Sequence, residues 1–349
     1  MGQYLRHMRN SILLVLLTIA GTSAGQTTTP AEAKVRAKLA KGKAYPAIRI
    51  ATAALAKPGH PEFYALRAEG YNAIAEFTKA EQDARMAISL LPDSVSGLFQ
   101  LAVAGQGMGR LDSADAQFSE VVHRSPSPEA YYRRAQVRQL QGRLGDAARD
   151  IDQAMALAGA DGPASARFHR MKGELAAMAG DTALARTELG RAVQLAPDDP
   201  VNYNSRGFYL HAKRGDHKGA IADYDRAIKL NPNYSYAFNN RGWSWYKAGN
   251  TAKALKDIGR AKRKKSMNPF VYRNLGVIAL ESGDTTKACL LFREALDKGF
   301  TTLYGTEVED LMATSCKQPA GSRTHAPVQA PAGTIDRRPD RPPVRTNAP

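Results

Sequence analysis

The side chains that could do covalent, metal or acid–base chemistry are few and poorly placed for it. The seven histidines, His7, His60, His123, His169, His211, His217 and His325, fall in different stretches of the chain. None has an HExxH or comparable metal-ligand spacing, and the nearest pair, His211 and His217, lies across an expected turn. There is no G-x-S-x-G elbow to expose a serine and no Walker-type phosphate loop. Gly105-Gln106-Gly107-Met108-Gly109 is glycine-rich, but it ends an expected helix instead of following a strand, so it reads as a turn. Two cysteines, Cys289 and Cys316, are too few for a disulfide scaffold or an all-cysteine zinc site, and no histidine lies nearby in the sequence to activate either thiol. No catalytic residue, metal site or cofactor is assigned, and an enzyme is not expected. One dense cationic run remains, Arg260-Ala261-Lys262-Arg263-Lys264-Lys265. It could hold an anion, or it could oppose the dipole at a helix C-terminus.

The elements carrying these residues come from a long, well-stocked chain. With 349 residues, 43% of them hydrophobic, a wholly disordered protein is excluded. Arg6 and Arg9 precede an apolar run from Ile12 to Ala20, which thins into small residues through Gly25. A basic start, a short hydrophobic stretch and a small-residue exit predict a secretory signal over residues 1–25, and hence export to the periplasm or beyond. An uncleaved anchor or an ordinary first helix is the alternative. No later stretch is apolar enough to predict a membrane span. Residues 317–349 hold seven Pro and six Lys or Arg against two Asp, without hydrophobic periodicity, and are expected to be disordered.

Between these ends a period near 34 residues recurs. A small residue stands at Ala47, Ala80, Ala114, Ala147, Ala185, Ala220, Ala254 and Ala288. Four residues on come Ala51, Ala84, Phe118, Ile151, Leu189, Tyr224, Ile258 and Phe292; three further on come Ala54, Ala87, Val121, Ala154, Ala192, Ala227, Ala261 and Ala295. Spacing 0, 4, 7 is one helix face. Upstream, Ala68, Ala102, Ala135, Gly173, Gly207, Gly242 and Gly276 mark a partner helix. Small residues at both places let two antiparallel helices approach closely. Glycine turns such as Gly215-Asp216 and Gly249-Asn250 separate the two helices, and Pro92, Pro126, Pro197 and Pro232 stop the second. Gly159–Pro163 lengthens the fourth linker, and one extra residue follows Gly207; either could divide the array.

This pattern resembles the tetratricopeptide repeat (TPR) family over about residues 28–302. The units start near 28, 61, 95, 128, 166, 201, 235 and 269. The resemblance implies an all-α, right-handed superhelical solenoid of antiparallel helix pairs over residues 26–302. Its exposed end is expected to be closed by a capping helix within 303–316, apolar at Val308, Leu311 and Met312. By register, Cys289 should face that cap, which makes a Cys289–Cys316 disulfide plausible in an exported chain, as exported bacterial TPR proteins often have. Two unpaired buried thiols are the other reading.

The resemblance also implies that positions 2, 5, 9, 12 and 13 of each first helix line a concave groove. Early units place Glu62, Glu69, Asn72, Phe99 and Gln106 there. Later units place Phe208, His211, Tyr236, Asn239, Trp243, Tyr246, Lys247, Phe270 and Arg273 there. Aromatics beside cations suit an extended peptide, and Asn240 and Asn274 stand where the family often holds peptide backbone. Packing between adjacent units would equally account for Trp243, Phe208 and Phe270. No unit combines Lys at position 5 with Asn at position 9, so the family's clamp for a chaperone-tail carboxylate is not expected. The expected function is a non-enzymatic exported scaffold with a protein or peptide partner. The alternative is a basic adaptor for anionic envelope polymers or lipid headgroups; nucleic acid is not expected.

Overall fold

The computed structural model describes residues 28–159, 162–263, 268–300 and 305–316. The expected signal (1–25), the tail (317–349), Lys264 and Lys265 lie outside the described residues. Among those described there are seventeen α-helices and no strand. They form eight pairs and a terminal helix: α1 (Pro30–Ala40) with α2 (Ala44–Leu55), α3 (Glu62–Ala73) with α4 (Phe77–Leu90), and α5 (Val95–Gly107) with α6 (Leu111–Arg124). Next come α7 (Pro128–Leu140) with α8 (Leu144–Ala158), α9 (Ala166–Met178) with α10 (Thr182–Leu195), and α11 (Pro200–Arg206) with α12 (His217–Leu230). The array ends with α13 (Ser235–Lys247) and α14 (Thr251–Arg263), α15 (Pro269–Glu281) and α16 (Thr285–Asp297), and α17 (Glu307–Ser315). Each helix packs on the next in sequence, and first helices also touch first helices of the following pair. The chain is thus an all-α superhelical solenoid.

The small-residue register explains this packing. Ala80, Ala84 and Ala87 of α4, Ala114, Phe118 and Val121 of α6, and Ala288, Phe292 and Ala295 of α16 are all fully buried. On the facing helix a side chain would collide. A Cβ on Gly276 would lie 2.5 Å from the Phe292 ring, and one on Gly207 would lie 2.9 Å from Tyr224. Such approach is open only to glycine. Side-chain caps start several helices, as where Asp216 accepts from the Gly219 amide at 2.9 Å and Asp284 accepts from the Lys287 amide at 3.0 Å.

Two departures from the repeat bear on the groove. The residue added after Gly207 is absorbed as a π-helical turn over Gly207–His211, which runs into a 3-10 turn at Ala212–Arg214. At the other end, Val308 of α17 is fully buried against the last pair, with Leu311 and Met312 beside it. Cys289 of α16 and Cys316, just past α17, are disulfide-bonded with their Cα atoms 5.8 Å apart.

Candidate functional site

The positions expected to line a groove lie on the first helices, and in the middle of the array they are ionic. On α7, Glu129 accepts from Arg133 Nε at 2.6 Å and from Arg167 of α9 at 2.5 Å. The Arg167 guanidinium also lies over the rings of Tyr132 (4.9 Å) and Phe168 (4.6 Å). Burial alone would raise the Glu129 pKa, but Arg167 and Arg133 outweigh it and hold this carboxyl at about 2. One turn on, Arg170 is 5% exposed and donates to Asn202 Oδ1 at 2.8 Å and to Asp199 at 3.3 Å. Asn202 donates in turn to the carbonyls of Ala192 and Ala196, and Ser205 donates to Glu174 at 2.6 Å. Burial opposes the charge on Arg170, yet Tyr132, Asp199, Glu174 and Tyr234 together raise its pKa. Burial also raises Glu174 against the pull of Arg170. The junction of the fifth and sixth pairs is thus tied by a polar network.

The superhelix also brings distant repeats together. Glu69 of α3 has Arg36 of α1 and both Arg133 and Glu129 of α7 as electrostatic neighbours. Burial, against the two arginines, pushes the Glu69 carboxyl up to about 7. The first helices α3, α5 and α7 also carry carboxamides. Asn72 donates to the carbonyl and the Oε1 of Gln100, both at 3.0 Å. Gln106 is 1% exposed and Gln136 is 7% exposed. The Asn72 Oδ1, both polar atoms of the Gln106 amide and the Gln136 Oε1 find no hydrogen-bond partner in the protein.

Toward the C-terminus the lining becomes aromatic. Trp243 lies under the Arg273 guanidinium (4.7 Å) and the Lys247 ammonium (5.1 Å), with Tyr246 tilted against it at 5.4 Å. The Tyr246 hydroxyl donates to Glu281, and burial together with that carboxylate pushes its pKa up to about 12. Asparagines chain three first helices: Asn240 donates to Asn204 (3.1 Å), Asn239 to Asn240 (3.2 Å) and Asn274 to Asn239 (3.2 Å). Arg273 continues the chain, donating to Asn274 at 2.9 Å and to Glu307 of α17.

The structure therefore separates the expected groove residues. Trp243, Tyr246, Lys247 and Arg273 come together. Asn239 is 2% exposed and, with Asn274, holds helices together instead of facing the groove. The packing alternative holds for Phe270, which stacks edge-on to buried Phe300 at 5.1 Å. Phe208 sits on the π-turn with Tyr209, both under Lys213. His211 bonds Asp216 at 2.7 Å, and Tyr236 tilts against buried Tyr234 at 6.4 Å. Of the cationic run, Arg260 lies over Phe238 (5.7 Å) and Lys262 meets Glu294 at 3.6 Å, while Arg260 and Arg263 are exposed.

Sequence reasoning missed the ionic middle of the groove, although positions 2, 5 and 9 of the fifth pair read Arg167, Arg170 and Glu174. It also missed a repeated clamp between the two helices of a pair: Arg67–Asp83, Arg134–Asp150, Arg206–Asp223 and Arg241–Asp257. Its signal was an Arg just before the first-helix small residue and an Asp one residue before the +4 position. Among the described residues no group of three His, Cys, Asp or Glu could hold a metal, and no helix is long and apolar enough to cross a membrane.

The TPR repeat family model matches residues 209–249, and the tetratricopeptide repeat model matches 99–156 and 141–200. A tetratricopeptide repeat protein from Parabacteroides merdae is 15% identical, with TM-score 0.59 over 74% of this chain and 99% of its own. Yeast Tom70 is 17% identical, with TM-score 0.62 over 89% of this chain and 69% of its own. Human IFIT1, as a dimer with m7Gppp-AAAA, is 12% identical, with TM-score 0.61 over 89% of this chain and 84% of its own. At these identities the likeness is one of fold. No curated protein matches the chain by sequence.

Proposed function

Since the chain is a tetratricopeptide repeat protein, a family of protein-binding scaffolds, we propose that it acts without catalysis and grips an extended peptide segment of a partner along its concave face. The observation that carries this reading is the cluster on α13 and α15 in which Trp243 lies under the Arg273 guanidinium and the Lys247 ammonium with Tyr246 against it. Trp243, between Arg273 and Lys247, supplies a broad apolar plane edged by positive charge, suited to an aromatic or aliphatic side chain next to an acidic one. We further propose that residues 1–25 direct export, on the strength of the basic start and short apolar run.

The test is a peptide array probed with the purified chain, followed by titration of the retained peptides. Trp243→Ala with Tyr246→Ala should weaken binding at least ~tenfold. Retained peptides indifferent to that pair would remove the groove from consideration. Fusion of residues 1–30 to a reporter active only outside the cytoplasm tests export.

A further inference from the structure

Two carboxylates meet the Trp243 cluster, and they are held in different ways. Glu281, which accepts from the Tyr246 hydroxyl, ends α15 and so belongs to the repeat array itself. Glu307, which accepts from Arg273, opens α17, the one described α-helix outside the eight pairs. α17 has nine residues, a length at which a helix is marginal without tertiary contacts. Val308 is its one buried side chain, with Leu311 and Met312 half-buried beside it. It is pinned at both ends, at Glu307 by Arg273 and at Cys316 by Cys289. Neither cysteine is fully buried, so the bridge is not sealed inside the core. Arg273 has other supports: it donates to Asn274 at 2.9 Å and lies 4.7 Å from the Trp243 ring.

We propose that α17 is an acidic latch: Glu307 occupies Arg273 in place of a partner's carboxylate, and the Cys289–Cys316 disulfide keeps the latch closed. The inference rests on the reading of the Trp243 cluster as the peptide site. Three observations carry it. First, Glu307 makes with Arg273 the charge-assisted bond that an acidic side chain of a bound peptide would make. Second, that bond is incomplete. Asp257 meets Arg241 at both Nε and Nη2, whereas Glu307 meets Arg273 at Nη2 and leaves its buried Nε without a partner. An unmet buried donor weighs against the closed contact, which a competing carboxylate can then displace. Third, the disulfide spans 27 residues of sequence that include the whole of α17, so opening it restores freedom to the element carrying Glu307.

Opening is a thiol–disulfide exchange with an external dithiol. One thiolate of the dithiol attacks a sulfur of the bridge, forming a mixed disulfide and releasing the other cysteine as a thiolate. The second thiolate of the dithiol then resolves the mixed disulfide. Cys289 and Cys316 together gain two electrons and, on protonation, two protons, and the dithiol becomes a disulfide. With α17 loosened, Glu307 leaves Arg273, and the guanidinium over Trp243 can pair with an acidic residue of the peptide.

The test uses the full chain and a peptide retained on the array, titrated with and without dithiothreitol. Glu307→Gln leaves the disulfide intact and should tighten that peptide at least ~threefold in the oxidised chain. Dithiothreitol should tighten binding to the parent chain by a similar factor and add nothing in Glu307→Gln. Cys289→Ser with Cys316→Ser should bind as the reduced parent does. Amide hydrogen exchange over residues 307–315 should quicken on reduction, while residues 220–227 of α12 keep their protection. The thermal midpoint of each variant shows that it folds, and Glu307→Gln decides alone if the double serine variant does not. Unchanged or weaker binding in Glu307→Gln overturns the proposal, since Glu307 would then orient Arg273 instead of withholding it. So does reduction that leaves α17 protected. Peptides indifferent to Trp243→Ala sink the reading of the site, and the latch with it; peptides that need Trp243 but ignore Glu307 sink the latch alone.

Discussion

Pairs 4–6 and pairs 6–8 carry equivalent first-helix positions, yet they use them in opposite ways. Around Arg170 the charged groups satisfy one another: Glu129 joins Arg133 to Arg167, and Arg170 joins Asn202 to Asp199. Around Trp243 the cations Arg273 and Lys247 lie over an aromatic face, and amides form the links between helices. The difference follows from dielectric. A charge held between neighbouring helices is costly unless paired, so arginine and glutamate at positions 2, 5 and 9 become joints. An indole carries no such penalty and can stay presented. The middle first helices are therefore chiefly a seam, and the C-terminal ones present an aromatic face edged by cations, which the proposed function takes as the binding surface.

The strongest way to break that distinction is Arg170→Leu. Removing one member of a buried ion network strands Glu174 and Asp199 and should cost about 3–5 kcal/mol, read as a lower denaturation midpoint. Peptide binding at Trp243 should survive wherever the variant is folded. A loss below ~1 kcal/mol would mean that the network does not hold the two halves together.

How much of this was legible in the sequence depends on range. The 0, +4, +7 register of Ala220, Tyr224 and Ala227 reports contact between helices adjacent in the chain, so the fold class could be read directly. The Arg241–Asp257 clamp spans only 16 residues and was equally readable, but it needs two columns to be compared at once. The proximity of Glu69 to Arg133 was not readable, because it depends on twist accumulated over several pairs. Asn239 was misplaced because position 5 of each first helix was taken to line the groove, whereas the amides of Asn239, Asn240 and Asn274 bond one another.

Acid sharpens the comparison. The Glu129 pKa is about 2 when folded against an ordinary 4.5, so its contribution is complete above pH 4.5 and is lost as pH falls from there toward 2. A shift of that size is worth on the order of 3 kcal/mol. Glu69, raised to about 7, acts in the reverse sense, and its contribution falls as pH rises from 4.5 to 7. Glu129→Gln should flatten the acid limb of a stability–pH profile, and Glu69→Gln the limb between 4.5 and 7. If both profiles overlay that of the parent chain, the ionic middle contributes nothing to folding.

The smallest effect on stability is expected at Trp243, and it tests the other half of the comparison. Cation–ring contacts at a partly exposed site are worth about 0.5–1 kcal/mol, and Arg273 keeps its bonds to Asn274 and Glu307 when the indole is removed. Trp243→Ala should therefore move the folding free energy by roughly 1 kcal/mol while weakening a groove-bound peptide at least ~tenfold. Trp243→Phe keeps an aromatic face under Arg273 and Lys247, so it should recover part of that affinity. A loss of several kcal/mol in Trp243→Ala would instead make the indole a packing element, and the groove's C-terminal end would then be a joint like its middle.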